Sequence, residues 1–143
     1  MGFRLQHKWL VIRILSLHMK LQQRQVDDVK LTITNVNPSS GSLEITASGP
    51  AGLYGNAFAS YVLESFDGNS GLSHGSGHGF PDEGPMVTGN FVGLWRRDGN
   101  NIEIKYLVDV DSDTQNLDLI TIDMHAKTVL IRSHILETVT LST

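Results

Sequence analysis

Two histidines, His74 and His78, lie in the most glycine-rich stretch of the chain, residues 68–93. In a β-strand they would point to the same face, because side chains alternate with a period of two. Four residues of strand span ~13 Å, which is too far for both imidazoles to bind one metal ion at ~2.1 Å per bond. We therefore interpret the two histidines as polar residues that line a pocket or lie on the surface, and we predict neither a metal site nor a cofactor.

Acid–base chemistry is the second activity that the residue types allow. Asp123 stands two residues before His125, on the same face of a predicted strand, and such a carboxylate can orient an imidazole that acts as a general base. The chain has no cysteine, and no serine lies in a nucleophile elbow, because the G-x-S-x-G match at Gly71–Gly75 falls within a predicted strand and does not precede a helix. Nucleophilic catalysis is therefore disfavoured. The predicted ligand-binding residues are polar and aromatic side chains in the strand-forming part of the chain: His74, His78, Glu64, Tyr61, Tyr106, Asp123, His125 and Trp95.

These residues are predicted to lie on β-strands. Downstream of residue 27, apolar residues alternate with polar ones, and the runs are separated by turn sequences such as Asp98-Gly99-Asn100, which are typical of hairpins. Long strands joined by short hairpins predict an all-β fold, a single antiparallel up-and-down barrel, with a Greek-key sandwich as the alternative. We place about eight strands, at 29–34, 43–47, 56–66, 71–80, 86–97, 102–110, 116–125 and 128–136, with a partial strand in 137–143.

The glycines of the central stretch stand on the row opposite the two histidines. Ser73, Gly75, Gly77 and Gly79 would share one face of the strand. Glycine weakens a strand, so three on one face indicate that the strand bends sharply or that a bulky neighbour or a ligand presses against bare backbone. Curvature and packing are the first interpretation, and a binding surface is the second.

The glycine-dotted strand pair, 71–80 and 86–97, resembles in architecture the strands of lipocalin-like (calycin) barrels and of allene oxide cyclase and dirigent-type barrels. The resemblance covers residues 27–136. It implies a barrel whose interior holds either side chains or one small ligand. The stretch contains no diagnostic motif of these families, so the resemblance implies no catalytic residue.

Residues 1–26 differ from the rest of the chain, residues 27–143, in charge. They hold five basic residues and no acidic one, whereas the remainder holds six basic and fifteen acidic residues. Leu10, Ile14, Leu17 and Leu21 follow a helical spacing, so we predict an amphipathic helix over 3–25 that docks on the barrel or on a second subunit. The β-branched Val11, Ile12 and Ile14 leave a strand as the alternative. The segment is too short to span a bilayer, and a helix on a membrane surface is the less favoured alternative. The change in composition also suggests that Met19 is the natural start.

Composition limits the classes of function. A chain of 143 residues with a net charge of −4 can bury a core in one domain, and its charge argues against binding nucleic acid. We expect a cytoplasmic homo-oligomer. Three functions fit: a barrel that binds a small apolar molecule near the glycine-rich strand, a barrel enzyme of isomerase or cyclase type, and a structural or interaction protein that homodimerises. A cavity would favour the first two, and a barrel filled by Phe58, Phe91 and Trp95 would favour the third.

Overall fold

The fold is a closed antiparallel β-barrel. The computed structural model describes residues 19–111, 114–137 and 140–141. A short strand, β1 (Met19–Lys20), pairs with the equally short β10 (Thr140–Leu141) outside the barrel. The barrel strands are β2 (Val29–Ser39), β3 (Ser42–Pro50), β4 (Asn56–Glu64), β5 (Ser70–Phe80), β6 (Val87–Asp98), β7 (Asn101–Val110), β8 (Thr114–Asp123) and β9 (Thr128–Ile135). A 3₁₀ helix, Gly52–Tyr54, lies between β3 and β4.

Each barrel strand pairs with the next in sequence, and β9 closes the sheet by pairing with β2. Closure pairs the two outer strands of the sheet at Val29–Thr32 of β2, which reduces the exposed strand edge that could act as a template for aggregation. The all-β up-and-down barrel of eight strands predicted from the sequence is therefore confirmed. Within the part of the chain that the structure describes, no helix is long and apolar enough to cross a membrane.

Strand alternation sends apolar side chains into the barrel. In β7, every second residue from Ile102 to Val110 is buried and every residue between them is exposed. Tyr106 occupies the middle of this inward row and is completely buried. Burying one large apolar side chain contributes about 1.5–3 kcal/mol, so the interior rows of eight strands supply the main stabilising free energy.

Most of the helix predicted over 3–25 falls on residues 1–18, outside the described residues. In the described part of this segment, residues 19–25, the structure contains no helix. Met19–Lys20 form β1, and the backbone N–H of Arg24 donates to Ser133 O at 2.8 Å while that of Ile135 donates to Gln22 O at 2.7 Å. These hydrogen bonds to β9 satisfy backbone groups of residues 22 and 24 that a helix would pair internally, which explains why no helix forms at these two residues.

The inward glycines lie where the sheet is closely packed. A Cβ on Gly75 would overlap the backbone carbonyl of Ser60 on the neighbouring strand, and the Phe91 ring would lie 3.1 Å from it. A Cβ on Gly93 would overlap the carbonyl of Lys105 in the same way. The structure supports curvature and packing as the reason for the glycine row, since bare backbone leaves room for a curved neighbouring strand and for an aromatic ring.

Aromatic rings fill the middle of the barrel. The ring centroids of Tyr61, Phe91 and Tyr106 lie 5.4–6.1 Å apart, within the usual range of aromatic contacts. Nearer the end formed by the β2–β3 and β6–β7 hairpins, Trp95 packs against Phe66 at 5.7 Å. Phe58, predicted to help fill the barrel, is instead 54% exposed, because it alternates with inward-facing alanines on β4 and so lies on the outer surface.

Candidate functional site

A cavity lies inside the barrel at the end where the 3₁₀ helix links β3 and β4, which we call the mouth. Its volume is about 90 Å³. Tyr61 and Phe91 of the aromatic cluster bound it, so it occupies the part of the interior that the rings leave free. Its walls are otherwise mainly small or aliphatic: Val29, Leu31, Ala51, Ala57, Ala59, Gly77, Gly79, Val87, Gly89, Val108, Val110, Ile120 and Ile131.

Three polar residues interrupt this apolar wall on β8 and β9. Asn116 and Asp118 point inward in phase with Ile120, and Ser133 lies directly opposite Asp118 in the sheet. Asp118 is only 8% exposed, and its Oδ1 atom has no hydrogen-bond partner in the part of the chain that the structure describes. An unsatisfied buried acceptor is costly, and native structures contain few of them.

Burial raises the pKa of the Asp118 carboxyl to about 6, although a hydrogen bond with the Ser133 hydroxyl opposes the rise. The cause is desolvation, because a charged carboxylate loses the solvation of water when it is surrounded by apolar groups. At neutral pH the carboxyl is still mostly ionised. The cavity therefore contains a negative charge whose Oδ1 atom has no partner.

A network of polar residues connects this wall to the mouth. The Arg24 guanidinium donates from Nε to Asn116 Oδ1 at 2.9 Å, and Asn116 Nδ2 donates to the Tyr54 hydroxyl at 3.1 Å. Arg24 also forms an ion pair with Glu137 at 2.5 Å, which lowers the pKa of Glu137 to about 2. Asn116 is thus satisfied on both sides, and the Arg24 charge is already paired with Glu137 and not with Asp118.

The segment that carries Arg24 is held at the mouth by further side-chain contacts. Gln25 Nε2 donates to the carbonyl oxygen of Ala51 at 3.4 Å, and the backbone N–H of Leu53 donates to Gln25 Oε1 at 3.2 Å. The turn before β4 and the segment before β2 are thereby tied together. Displacing either one would alter access to the cavity.

The site can supply an apolar enclosure, a negative acceptor and a set of hydroxyl and amide groups. The Tyr54 pKa is raised by burial, against the effects of Asn116 and Arg24, and the pKa of Tyr61 is raised by burial as well. Both phenols therefore stay protonated at neutral pH and can donate. Among residues 19–111, 114–137 and 140–141, no three His, Asp or Glu side chains come close enough to hold one metal ion.

Two of the residues predicted from the sequence border the cavity. Tyr61 lines it directly and is fully buried. His78 lies at the cavity wall, but its side chain is exposed because its neighbours Gly77 and Gly79 occupy the inward positions of β5. Tyr61 is thus the predicted residue that the structure places in the site.

Two other predicted residues, Tyr106 and Trp95, are buried in the barrel but outside this cavity. The Ser73 hydroxyl donates to the carbonyl of Val62 at 2.7 Å and lies 2.5 Å from the Tyr106 hydroxyl. Since a serine hydroxyl has a single hydrogen, the Tyr106 hydroxyl is the donor to Ser73. The Trp95 indole donates to the carbonyl of Glu64 at 2.8 Å. Tyr106 and Trp95 therefore each form a hydrogen bond that holds the barrel together. Burial raises the pKa of Tyr106 to about 12.

The remaining predicted residues lie on the outside. Glu64 and His74 form a pair at 3.4 Å on the outer face, where their side chains are 48% and 53% exposed. The predicted arrangement of Asp123 and His125 on one strand face is wrong, because β8 ends at Asp123 and His125 lies in the following turn. There Asp123 Oδ1 accepts hydrogen bonds from the backbone N–H groups of His125, at 3.0 Å, and Ala126, at 2.9 Å. The carboxylate thus stabilises a turn.

Sequence reasoning did not identify Asn116, Asp118, Ser133 or Tyr54. A signal for the first two was present: they stand in phase with Ile120 and Ile122, whereas Leu117 and Leu119 stand on the opposite row. Both rows of β8 are therefore partly apolar, and alternation alone does not show which row is inside. The inner row of β8 follows from its pairing with β7, because Asp118 lies opposite Tyr106, which belongs to the buried row of β7.

No model of a known protein family matches this chain, and no curated protein and no solved structure shows significant similarity to it. The function is therefore argued from the geometry and chemistry of the site, because a barrel fold by itself is compatible with many functions.

Proposed function

We propose that this protein is a small-molecule-binding β-barrel whose ligand enters the apolar cavity at the mouth. The observation that carries the proposal is the hollow of about 90 Å³ above the aromatic cluster. Protein interiors are normally packed without voids larger than a water molecule. Here small residues lie side by side on one wall of the hollow, with Ala57 and Ala59 on β4, Gly77 on β5 and Gly89 on β6. The two glycines let the Phe91 ring lie against the wall, and none of the four side chains fills the space.

The size of the hollow limits the ligand. Sites for drug-sized molecules measure ~300–1,000 Å³, so the part of the ligand that is enclosed here is much smaller, of the order of a four-carbon chain. Five non-hydrogen atoms that bind with Kd of ~1 mM gain about 4 kcal/mol, which is well below the ceiling for small ligands. Millimolar affinity is therefore the expected scale for probes of this size.

Xenon and n-butanol test the proposal directly. Each is added to the labelled protein while the amide resonances are recorded by NMR. We expect shift changes concentrated at cavity residues such as Gly77, Gly89 and Asn116. Changes confined to the outer face, or no changes at saturating probe, would contradict a binding cavity.

A matched pair of variants controls this experiment. Ala59→Leu adds three carbons inside the cavity and is expected to abolish probe binding, with an overpacking cost of ~1–3 kcal/mol. Thr121→Leu places the same leucine side chain on the exposed face of β8 and is expected to leave probe binding unchanged. Loss of binding in both variants would indicate general disruption and would contradict the assignment to the cavity.

An enzyme that performs acid–base chemistry of the isomerase or cyclase type is the alternative, and the Asp118 pKa of about 6 favours it. A general base is most effective when its pKa lies near the working pH. Butanone in D₂O is a suitable probe, because removal of an α-proton by Asp118 and return of a deuteron would erase its α-proton signal. Exchange faster than in buffer, absent in Asp118→Asn, would support the enzyme; equal exchange with and without protein would exclude this activity.

A filled barrel that forms a homodimer is the third candidate. The aromatic cluster fills much of the interior, and the outer face carries exposed Leu72, Val92, Leu94 and Leu107, which are 57–62% exposed. Adjacent exposed apolar residues can mark an interface. Sedimentation equilibrium of the full chain tests this candidate: a dimer that Leu94→Lys converts to a monomer would support it, and a monomer at high concentration would exclude it.

A further inference from the structure

We infer that the ligand class of the mouth cavity is a small apolar molecule with a protonated amine, and that the amine binds Oδ1 of Asp118. The inference rests on the proposed binding function and deepens it. Its basis is a carboxylate that is 8% exposed, lines an apolar cavity, and has one oxygen without a partner.

Within residues 19–111, 114–137 and 140–141, no cationic side chain forms an ion pair with Asp118. The ion pairs of the described ranges are Arg24–Glu137, His74–Glu64 and Arg132–Asp28. None of them includes Asp118. The cation of the polar network at the mouth, Arg24, directs its guanidinium to Asn116, Gln115 and Glu137. Breaking up a buried charge pair is strongly unfavourable, and here the missing half of such a pair can be supplied by a ligand.

The other polar residues of the cavity wall on β8 and β9 already have hydrogen-bond partners within the protein. Ser133 already hydrogen-bonds the Asp118 carboxyl, and Asn116 is satisfied by Arg24 and Tyr54. Oδ1 of Asp118 is therefore the wall atom that is free to bind a ligand, and it determines which head group binds. A protonated amine offers donors together with a positive charge, and a charge-assisted hydrogen bond is about twice as strong as a neutral one. A carboxylate ligand would meet like charge.

The pH dependence follows from the groups around Asp118. Tyr61, Tyr54 and Tyr106 all have pKa values raised by burial, and the pKa of Glu137 is lowered to about 2. These groups keep one protonation state between pH 5 and 8. Since Asp118 has a pKa of about 6, amine affinity is expected to fall about tenfold from pH 8 to pH 5. His78 and His134 belong to strands that border the cavity but alternate with inward residues, so His78→Gln and His134→Gln serve as controls.

The experiment uses four-carbon probes that differ in the head group: n-butylamine, n-butanol and butyrate, each titrated at pH 8 with amide NMR as the readout. We expect n-butylamine to bind at least tenfold more tightly than n-butanol, and butyrate to show no binding. In Asp118→Asn, which keeps the shape of the side chain, the amine and the alcohol should bind within about threefold of each other.

The possible results distinguish a failure of amine binding at Asp118 from a failure of the binding cavity itself. If n-butanol and xenon bind but the amine binds no more tightly, the inference is overturned while the binding cavity stands. If no probe binds, both are overturned. An amine preference that persists in Asp118→Asn, or that shows no decrease at pH 5, overturns the assignment to Asp118; the pH measurement requires no variant and therefore does not depend on how Asp118→Asn folds.

Discussion

The stability of Asp118→Asn relative to the wild type should be greater at alkaline pH than at acidic pH. The unfolded carboxyl has an ordinary pKa of 3.8, and burial raises the folded value to about 6. Between these values the folded chain holds a proton that the unfolded chain has released, so stability falls as the pH rises through this window. Below pH 3.8 the cost is absent, and above pH 6 it is fully present.

The magnitude follows from the same two values. One pKa unit corresponds to ~1.36 kcal/mol, so the rise of the Asp118 pKa from 3.8 to about 6 costs about 3 kcal/mol above pH 6. About one third of this cost is already present at pH 4.5, because the unfolded carboxyl is then largely ionised. Relative to the wild type, Asp118→Asn should therefore gain about 2 kcal/mol more at pH 8 than at pH 4.5.

Urea denaturation of the wild type and the variant at pH 4.5 and pH 8 measures this difference. An asparagine amide that finds no partner in the cavity costs ~1–3 kcal/mol, but that cost is the same at both pH values and cancels. The effect of the Glu137 ion pair, which is lost as the pH falls towards the lowered Glu137 pKa of about 2, cancels in the same way. Asp109→Asn, on the exposed face of the neighbouring β7, is the control for removing one negative charge. Equal effects of Asp118→Asn at both pH values would refute a desolvated carboxyl.

Three further substitutions test how the barrel is held together. Gly93→Ala should lose more than ~2 kcal/mol of stability in urea denaturation, because the added Cβ overlaps backbone of β7, whereas Gly68→Ala, whose nearest neighbour would be 3.4 Å away, should stay within ~0.5 kcal/mol; similar losses in both would contradict the close packing. Tyr106→Phe should lose ~1 kcal/mol with its hydrogen bond to Ser73, and an unchanged denaturation midpoint would argue against that bond. Arg24→Gln should speed hydrogen exchange of its own backbone N–H, which donates to β9, while the amides of the barrel core keep their protection; unchanged exchange at residue 24 would show that the side chain does not hold the segment.

The sequence predicted the barrel well because turns and alternation act locally. The Asp98-Gly99-Asn100 sequence forms the β6–β7 hairpin, with Gly99 at φ +60, a conformation that glycine adopts without strain. The inward row of β7 could be assigned directly from the alternation of apolar and charged residues. Turns and alternation depend only on residues that are close in the chain, so the sequence alone is enough to predict them.

The site was harder to predict because it depends on closure of the sheet. Ser133 and Asp118 meet only through the register of β8 with β9, and Arg24 reaches Asn116 across 92 positions of sequence. The histidines attracted attention by residue type, yet strand phase places His74 and His78 outside. The phase was undetermined in the glycine-rich strand, because glycine and serine give no apolar row from which to choose the inner face.

The most direct test of the account is the pKa of Asp118 itself, measured by carbon-13 NMR of the side-chain carboxyl as the pH is changed, without and with saturating n-butylamine. An unpartnered carboxylate in an apolar cavity predicts a pKa of about 6 in the free protein and a lower value when the amine is bound. A value near 3.8 in the free protein, unchanged by the amine, would show that water or protein groups already satisfy the carboxylate, and it would contradict both the electrostatics of the cavity and the ligand class inferred from them.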